Sequence, residues 1–346
     1  MNIEIITTPD AALMTREVGS QTACDTVLAA TRRAGHESQV THCATVGDLE
    51  SVVLRKPDLV ILTVKSLPNE ENDTEIWLSE YFADHHVNFS GSAMDAMRFD
   101  ADKVVAKTHL KAKGISTANF FTAVPGVHRR ENHLPIGFPL FLKPQNSTNS
   151  ESVDGDSLVR NYAAFESKVI SLNEQFGSPV LVEEYLEGPA FTVCVIKTAS
   201  GELLVSPLEI VPSFSFNGVR MLGVETPKEQ AGGLKKIEDP IMKKQLIKLA
   251  IDVFIDLDIR DFGRIDFITN KNEHCFFMDV DLLIDISKSA VSFTKAFEIE
   301  HNLSYESVLE LIVEEGLSRV PKIAPLNNPT LADRISARVP DLNQHM

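Results

Sequence analysis

Residues 263–287, GRIDFITNKNEHCFFMDVDLLIDIS, set Asp266, Asp279, Asp281 and Asp285 in a stretch that otherwise reads as the apolar interior of a sheet. Taking an unpaired carboxylate out of water costs on the order of several kcal/mol, so any fold that buries this run must also bring a cation, a proton or water. RIDFIT and HCFFMDVD flank NKNE, a spacing that suits a hairpin with a four- or five-residue turn. Side chains alternate along a strand, so Asp279 and Asp281 share a face. With Asp266 opposite Asp279 or Phe277, all three acids lie on that face, and Ile265, Phe267, Met278 and Val280 fill the other. Carboxylates this close repel one another. Arg264 and Lys143 are candidate counter-charges, and a magnesium ion, which takes oxygen ligands at about 2.1 Å and commonly arrives with a nucleotide, relieves the same repulsion.

The rest of the chain alternates. IEIITT, ESQVTHC and PDLVILTV read as strands, with helical spacing of Ala23, Val27, Ala30 and Ala34 between the first two and Gly35 as a cap. This pattern over about the first 90 residues implies a small parallel α/β domain, and no Gly-rich dinucleotide loop accompanies it. Residues 98–116 read as one helix, with Lys103 and Lys107 a turn apart and Gly114 closing it. GFPLFLKP is a strand ending in Lys143, followed by a long polar loop. SPVLVEEYLEGPAFTVCVI is two strands with a break at Glu187-Gly188-Pro189. Helices are expected over 241–257 and over 304–315, the latter with Ser304 as N-cap and Gly316 just past its end. The proline-containing tail reads as a loosely packed terminus.

Composition limits the partners. The formal charge of -16, from 33 basic and 49 acidic residues, disfavours nucleic acid or an anionic membrane as the main partner. The four cysteines show no C-x-x-C spacing, and no apolar run approaches the ~18 residues of a membrane span, so the expectation is a soluble chain in a reduced, cytoplasmic setting. His85-His86 reads as a surface loop, because adjacent strand residues point opposite ways.

DKVVAK (102–107), GFPLFLKP (137–144), VLVEEYLEGPAFTV (180–193) and GRIDF (263–267), in this order and ahead of the acidic hairpin, resemble the ATP-grasp ligases, and within them the D-alanine–D-alanine ligase group. The resemblance implies an N-terminal α/β domain followed by two α+β subdomains enclosing ATP. The expected divisions are residues 1–95, 96–186 and 187–322, with a tail from 323. It implies that Lys103 and Lys143 reach the phosphates, with Ser150 and Ser152 in the covering loop. Glu183 would accept from the adenine amino group, Glu184 and Leu186 would offer backbone groups, and Tyr185 would pack beside the ring. Arg264 would face the transferred phosphate, and Asp266, Asp279 and Asp281 would hold Mg2+ or Mn2+. Glu17, Arg220, Ser287 and Ser289 fall on the substrate side. The reaction so implied joins a carboxylate to an amine through an acyl phosphate, releasing ADP and phosphate, in a chain whose relatives are commonly dimers.

The departures are specific. The family's metal ligands are Asp, Glu and Asn, whereas this chain offers three aspartates; Glu to Asp withdraws a carboxylate by about 1.5 Å, and Asn to Asp adds a charge. QNSTNSESVDG lacks a glycine before Gly155, and Ala190 stands at the ribose-binding glutamate. Ile284-Asp285 replaces a Pro-Gly pair, Thr15 stands where a substrate-holding glutamate is expected, with Glu17 nearby, and KSLPNEEND replaces a His-Gly segment. These changes point away from D-alanyl-D-alanine itself and toward a non-standard amino acid or specialised-metabolite substrate. The competing expectation is a catalytically silent homologue that binds nucleotide or a partner as a scaffold.

Overall fold

The computed structural model describes residues 1–10, 19–69, 72, 74–146, 153–211, 215–216, 219–220, 233–286 and 293–319. It opens with a three-stranded parallel sheet, β1 (Asn2–Thr7), β2 (Glu37–His42) and β3 (Leu59–Leu62), in the order β2-β1-β3. Two helices make the crossovers, α1 (Gln21–Arg33) and α2 (Val46–Arg55). Ser20 caps α1 by accepting from the Ala23 N–H, and Gly35, at φ +86, turns the chain out of it. A short hairpin, β4 (Ser66–Pro68) with β5 (Glu75–Trp77), leads into α3 (Leu78–Asp84). His85 and His86 lie exposed just past the end of α3, as a surface turn.

The helix expected over 98–116 is instead divided. Asp102 is extended (φ -131, ψ 104), ends α4 (Met94–Ala101) and begins α5 (Lys103–Ala112). One Asp102 carboxylate oxygen accepts from the Val104 and Val105 N–H groups and the other from Gln145. Two helix-start donors satisfied by one side chain outweigh an unbroken ladder, and the break swings Lys103 to the first position of a new helix.

The central sheet holds β6 (Phe120–Ala123), β7 (Leu140–Pro144), β8 (Leu158–Val159) and β9 (Val180–Glu184), in the order β6-β9-β7-β8 and antiparallel. Helix α6 (Tyr162–Phe176) covers it, packing Phe165, Val169 and Leu172 on Leu140, Leu142, Val180 and Val182.

A five-stranded antiparallel sheet follows. It is built from β10 (Ala190–Lys197), β11 (Leu203–Val211), β14 (Gly233–Lys236), β15 (Phe262–Thr269) and β16 (Cys275–Asp281), ordered β14-β11-β10-β15-β16. Between β11 and β14 a small pair joins β12 (Ser215–Phe216) to β13 (Val219–Arg220). Helix α7 (Pro240–Asp256) covers one face with Leu246, Ala250 and Val253. On the other lie α8 (Phe293–His301) and α9 (Tyr305–Ser318), whose Phe297, Leu309 and Ile312 share a core with Ile3, Ile5, Leu59 and Ile61 of the first sheet. The first domain and the last sheet therefore share one apolar core, while the central sheet keeps its own.

Helix α9 runs past the glycine expected to end it. Gly316 lies inside the helix, and a Cβ there would stand 2.8 Å from Leu59 Cδ1. The glycine is a packing requirement where α9 meets β3, and the end comes at Ser318. Among the described residues no helix is long and apolar enough to cross a membrane.

Candidate active site

Two charged clusters face each other, one on α5 and the central sheet and one on the β15–β16 hairpin. Within the central sheet, Glu183 pairs with Phe141 and Lys143 with Leu181, so the glutamate and lysine are diagonal neighbours on one face. Lys143 Nζ lies 2.8 Å from Glu183 Oε2, and Lys107 Nζ, reaching in from α5, lies 2.7 Å from Oε1. Lys107 is fully buried; its ammonium also donates to the Phe277 carbonyl at 3.2 Å and stands over the Phe277 ring. Burial works to raise the Glu183 carboxyl, but the Lys107 and Lys143 ammoniums overcome it and hold it down at about 2. Burial pulls the Lys107 ammonium below its usual range, whereas at Lys143 the pull of burial is outweighed by Glu183.

The hairpin is built as its alternation requires. Arg264 pairs with Asp281 and Asp266 with Asp279 across β15 and β16, so one face carries all four charges. The apolar face differs from expectation by one residue. A β-bulge beside Asp266/Phe267 leaves Met278 half-buried as the extra residue and turns Phe277 inward against Phe267. The turn is closed by Asn270, whose side chain accepts from Asn272 and His274.

Each aspartate meets a cation. Asp279 Oδ2 accepts from Lys103 Nζ at 2.6 Å, Asp281 Oδ2 lies 3.1 Å from Arg264, and Asp266 Oδ1 lies 3.7 Å from Arg264 Nε. The Asp279 carboxyl sits below its ordinary range, because Lys103 and Lys143 more than offset its burial. At Asp266 burial outweighs Arg264 and raises the carboxyl, and at Asp281 burial raises it to about 6. Past the hairpin, the buried Asp100 of α4 accepts from the Leu282 N–H at 3.2 Å and pairs with Lys65 at 2.9 Å, tying the first domain to the end of β16.

At the end of β9, the Asn119 N–H and side-chain amide donate to the Glu184 carboxylate at 2.8 and 3.1 Å, and Glu184 N–H donates to Asn119 O. The Glu184 side chain is thus engaged within the protein, and the Tyr185 N–H donates to the Pro139 carbonyl. Tyr185 and Leu186 are half-buried beyond the strand.

Of the residues expected from sequence, Lys103, Lys143, Glu183, Arg264, Asp266, Asp279 and Asp281 meet in this one region. Glu17, Ser150, Ser152, Ser287 and Ser289 lie outside the described residues, and Arg220 is described only as backbone of β13. Sequence reading missed the roles of Lys107, Asn119, Lys65 and Asp100. For Lys107 the signal was there: it lies on the same helical stripe as Ala106 and Leu110, where a lysine must find a buried partner.

Among the described residues no three His, Cys, Asp or Glu side chains stand close enough to hold a metal ion, since Arg264 draws Asp281 and Lys103 draws Asp279. Asp266 and Asp279 nevertheless face each other in register, and Asp266 Oδ1 is buried without a hydrogen bond. An all-oxygen pair with one unbonded acceptor fits a hard divalent cation.

The family described as D-ala D-ala ligase C-terminus matches residues 110–314. A D-alanine–D-alanine ligase of Aquifex aeolicus is 24% identical over 86% of this chain and 95% of its own length. Another, of Oceanobacillus iheyensis, is 26% identical over 68% of this chain, and a Sinorhizobium fredii protein is 24% identical over 66%. This chain spans 63% and 66% of the length of those two. A solved D-alanine–D-alanine ligase of Bacillus anthracis superposes with a TM-score of 0.72 at 19% identity, covering 92% of this chain and 97% of that one. The same enzyme complexed with ATP gives 0.67 at 18% identity. The chain has the ATP-grasp fold and belongs to the D-ala D-ala ligase C-terminus family.

Proposed function

We propose that this protein is an ATP-dependent carboxylate–amine ligase that releases ADP and phosphate. The observation that carries the reading is the buried pair of lysines sharing one carboxylate, which leaves surplus positive charge facing an aspartate-bearing hairpin. Without a ligand that surplus is balanced by the hairpin aspartates, and a triphosphate carrying its metal suits both halves at once, an anion for the lysines and a cation for the acid pair. The solved relative complexed with ATP supports the choice of nucleotide.

Lys143 and Lys103 donate to the phosphate oxygens, and Glu183, whose two oxygens face Lys107 and Lys143 instead of being left for an adenine amino group, holds Lys143 in place for them. Glu184 is braced by Asn119, which fixes the backbone groups beyond β9 that would read the adenine. Asp266 and Asp279 would hold Mg2+ or Mn2+, which when bound neutralises phosphate charge and polarises the phosphoryl group. Arg264 faces the charge that develops as a substrate carboxylate attacks the terminal phosphate and as an amine captures the resulting acyl phosphate. No side-chain nucleophile is required; positioning of the two substrates supplies several kcal/mol. The replacements at Thr15, Ile284 and Asp285 support a carboxylate and an amine other than two D-alanines. Residues 1–95, 96–186 and 187–322 are proposed as its three structural units.

The test is phosphate and ADP release with Mg2+, ATP and pools of amino acids and small acids. Substrate-dependent release that vanishes in Lys143→Ala supports the ligase, and AMP as product contradicts the acyl phosphate. A second reading, a nucleotide-binding scaffold without turnover, draws on the pairing of every hairpin aspartate with a cation of the chain itself. Nucleotide binding with no release over a broad pool would favour it.

A further inference from the structure

Resting on the nucleotide reading above, we infer that Lys103 is an internal counter-ion that keeps divalent metal off the hairpin until a nucleotide arrives to take its ammonium. The site neutralises itself. Lys65, Lys103, Lys107, Lys143 and Arg264 are matched by Asp100, Glu183, Asp266, Asp279 and Asp281, every one of them in an ion pair. A dication entering alone finds one unbonded acceptor, Asp266 Oδ1, and has to displace Lys103 to gain Asp279 as a second ligand.

Lys103 is the cation built to be displaced. It makes one ion pair, the 2.6 Å contact with Asp279, whereas Arg264 holds two aspartates and Lys107 is locked between Glu183 and the Phe277 carbonyl. It is the first residue of α5, where the helix dipole disfavours positive charge. Asp279 is also the more open end of that pair, at 29% exposure against 9% for Lys103. A metal ion alone strands the Lys103 ammonium without a partner. A triphosphate arriving with the metal offers that ammonium a new anion while the metal takes Asp279. Metal and nucleotide therefore bind cooperatively, and metal alone binds weakly.

The test uses Mn2+ without nucleotide, followed by the relaxation of water protons, on the unaltered chain and on Lys103→Gln and Lys103→Arg. A cation in contact with a carboxylate changes its affinity for a proton by about one to three powers of ten, and the same competition applies to Mn2+. Lys103→Gln is therefore expected to bind Mn2+ about tenfold or more tightly while its affinity for Mg-ATP falls, and Lys103→Arg to bind Mn2+ as weakly as the unaltered chain. Opposite signs for metal and nucleotide are what a merely structural lysine does not give. Mn2+ affinity unchanged or reduced in Lys103→Gln overturns the inference. So does Mn2+ binding by the unaltered chain that is as tight without an ATP analogue as with one, once the analogue itself is shown to bind, a result that needs no variant to fold. Failure of the unaltered chain to bind ATP at all would instead remove the nucleotide reading, with the Mn2+ comparison still reporting on Lys103 and Asp279.

Discussion

Glu183→Gln removes the one negative charge shared by Lys107 and Lys143 with almost no change of shape. At 2.7 and 2.8 Å each ion pair carries about 6 kcal/mol of Coulomb attraction at an effective dielectric of about 20. Desolvation of the carboxylate and the mutual repulsion of the two lysines offset much of this sum. The lysines remain after substitution with no carboxylate between them: the glutamine amide oxygen can accept from one, while its NH2 faces the other, and Lys107 is fully buried with the Phe277 carbonyl as its other acceptor. Removing one partner from a buried charged group costs about 3–5 kcal/mol, and that is the loss of stability expected here. For a chain of 346 residues it should appear in thermal melts as a fall of about 4–7 degrees. Lys107→Met added to Glu183→Gln removes one stranded cation and is expected to restore part of the loss, so that the two changes are non-additive in a double-mutant cycle. A loss below about 1 kcal/mol for Glu183→Gln, or strict additivity with Lys107→Met, would refute the reasoning that this triad is a buried electrostatic unit.

The same carboxylate sets an acid limit. Its folded value of about 2 lies below its unfolded value of 4.5, so its contribution is complete above about pH 4.5 and disappears as pH falls toward 2; acid unfolding of Glu183→Gln should lack that component. Gly316→Ala drives a methyl to within 2.8 Å of Leu59, and an overpacking cost of about 1–3 kcal/mol is expected in urea unfolding, with an unchanged midpoint counting against close helix–strand contact. Asp102→Ala uncaps α5 and frees Gln145, and is expected to lose about 0.5–2 kcal/mol and to weaken ATP binding through Lys103, whereas Asp102→Asn, which keeps an accepting oxygen, should lose less.

Much of this fold was legible because its signals are local. Strand–helix alternation gave the parallel sheet, and the period of two along β15 and β16 put Arg264, Asp266, Asp279 and Asp281 on one face. What the sequence hid were events decided by partners far along the chain. The bulge that exchanges Phe277 for Met278 depends on which ring packs against Phe267. The break at Asp102 depends on a side chain satisfying two backbone donors and Gln145 at once. Gly316 carried the composition of a helix cap and instead answers to Leu59, more than two hundred residues away. In the site, Lys143 was legible as a lone basic residue closing an apolar run and Lys103 through the DKVVAK segment. The ion pairing that ties them together was not, because Lys107, Glu183, Asp279 and Lys103 come from three separate segments.

Calorimetric titration of ADP into the protein, with and without Mg2+, on the unaltered chain and on Asp279→Asn, bears most directly on nucleotide binding between the lysines and the aspartate hairpin. Binding strengthened by Mg2+ in the unaltered chain and much less so in Asp279→Asn is the expected result. Nucleotide affinity indifferent to both Mg2+ and Asp279, or no binding at all, would contradict it.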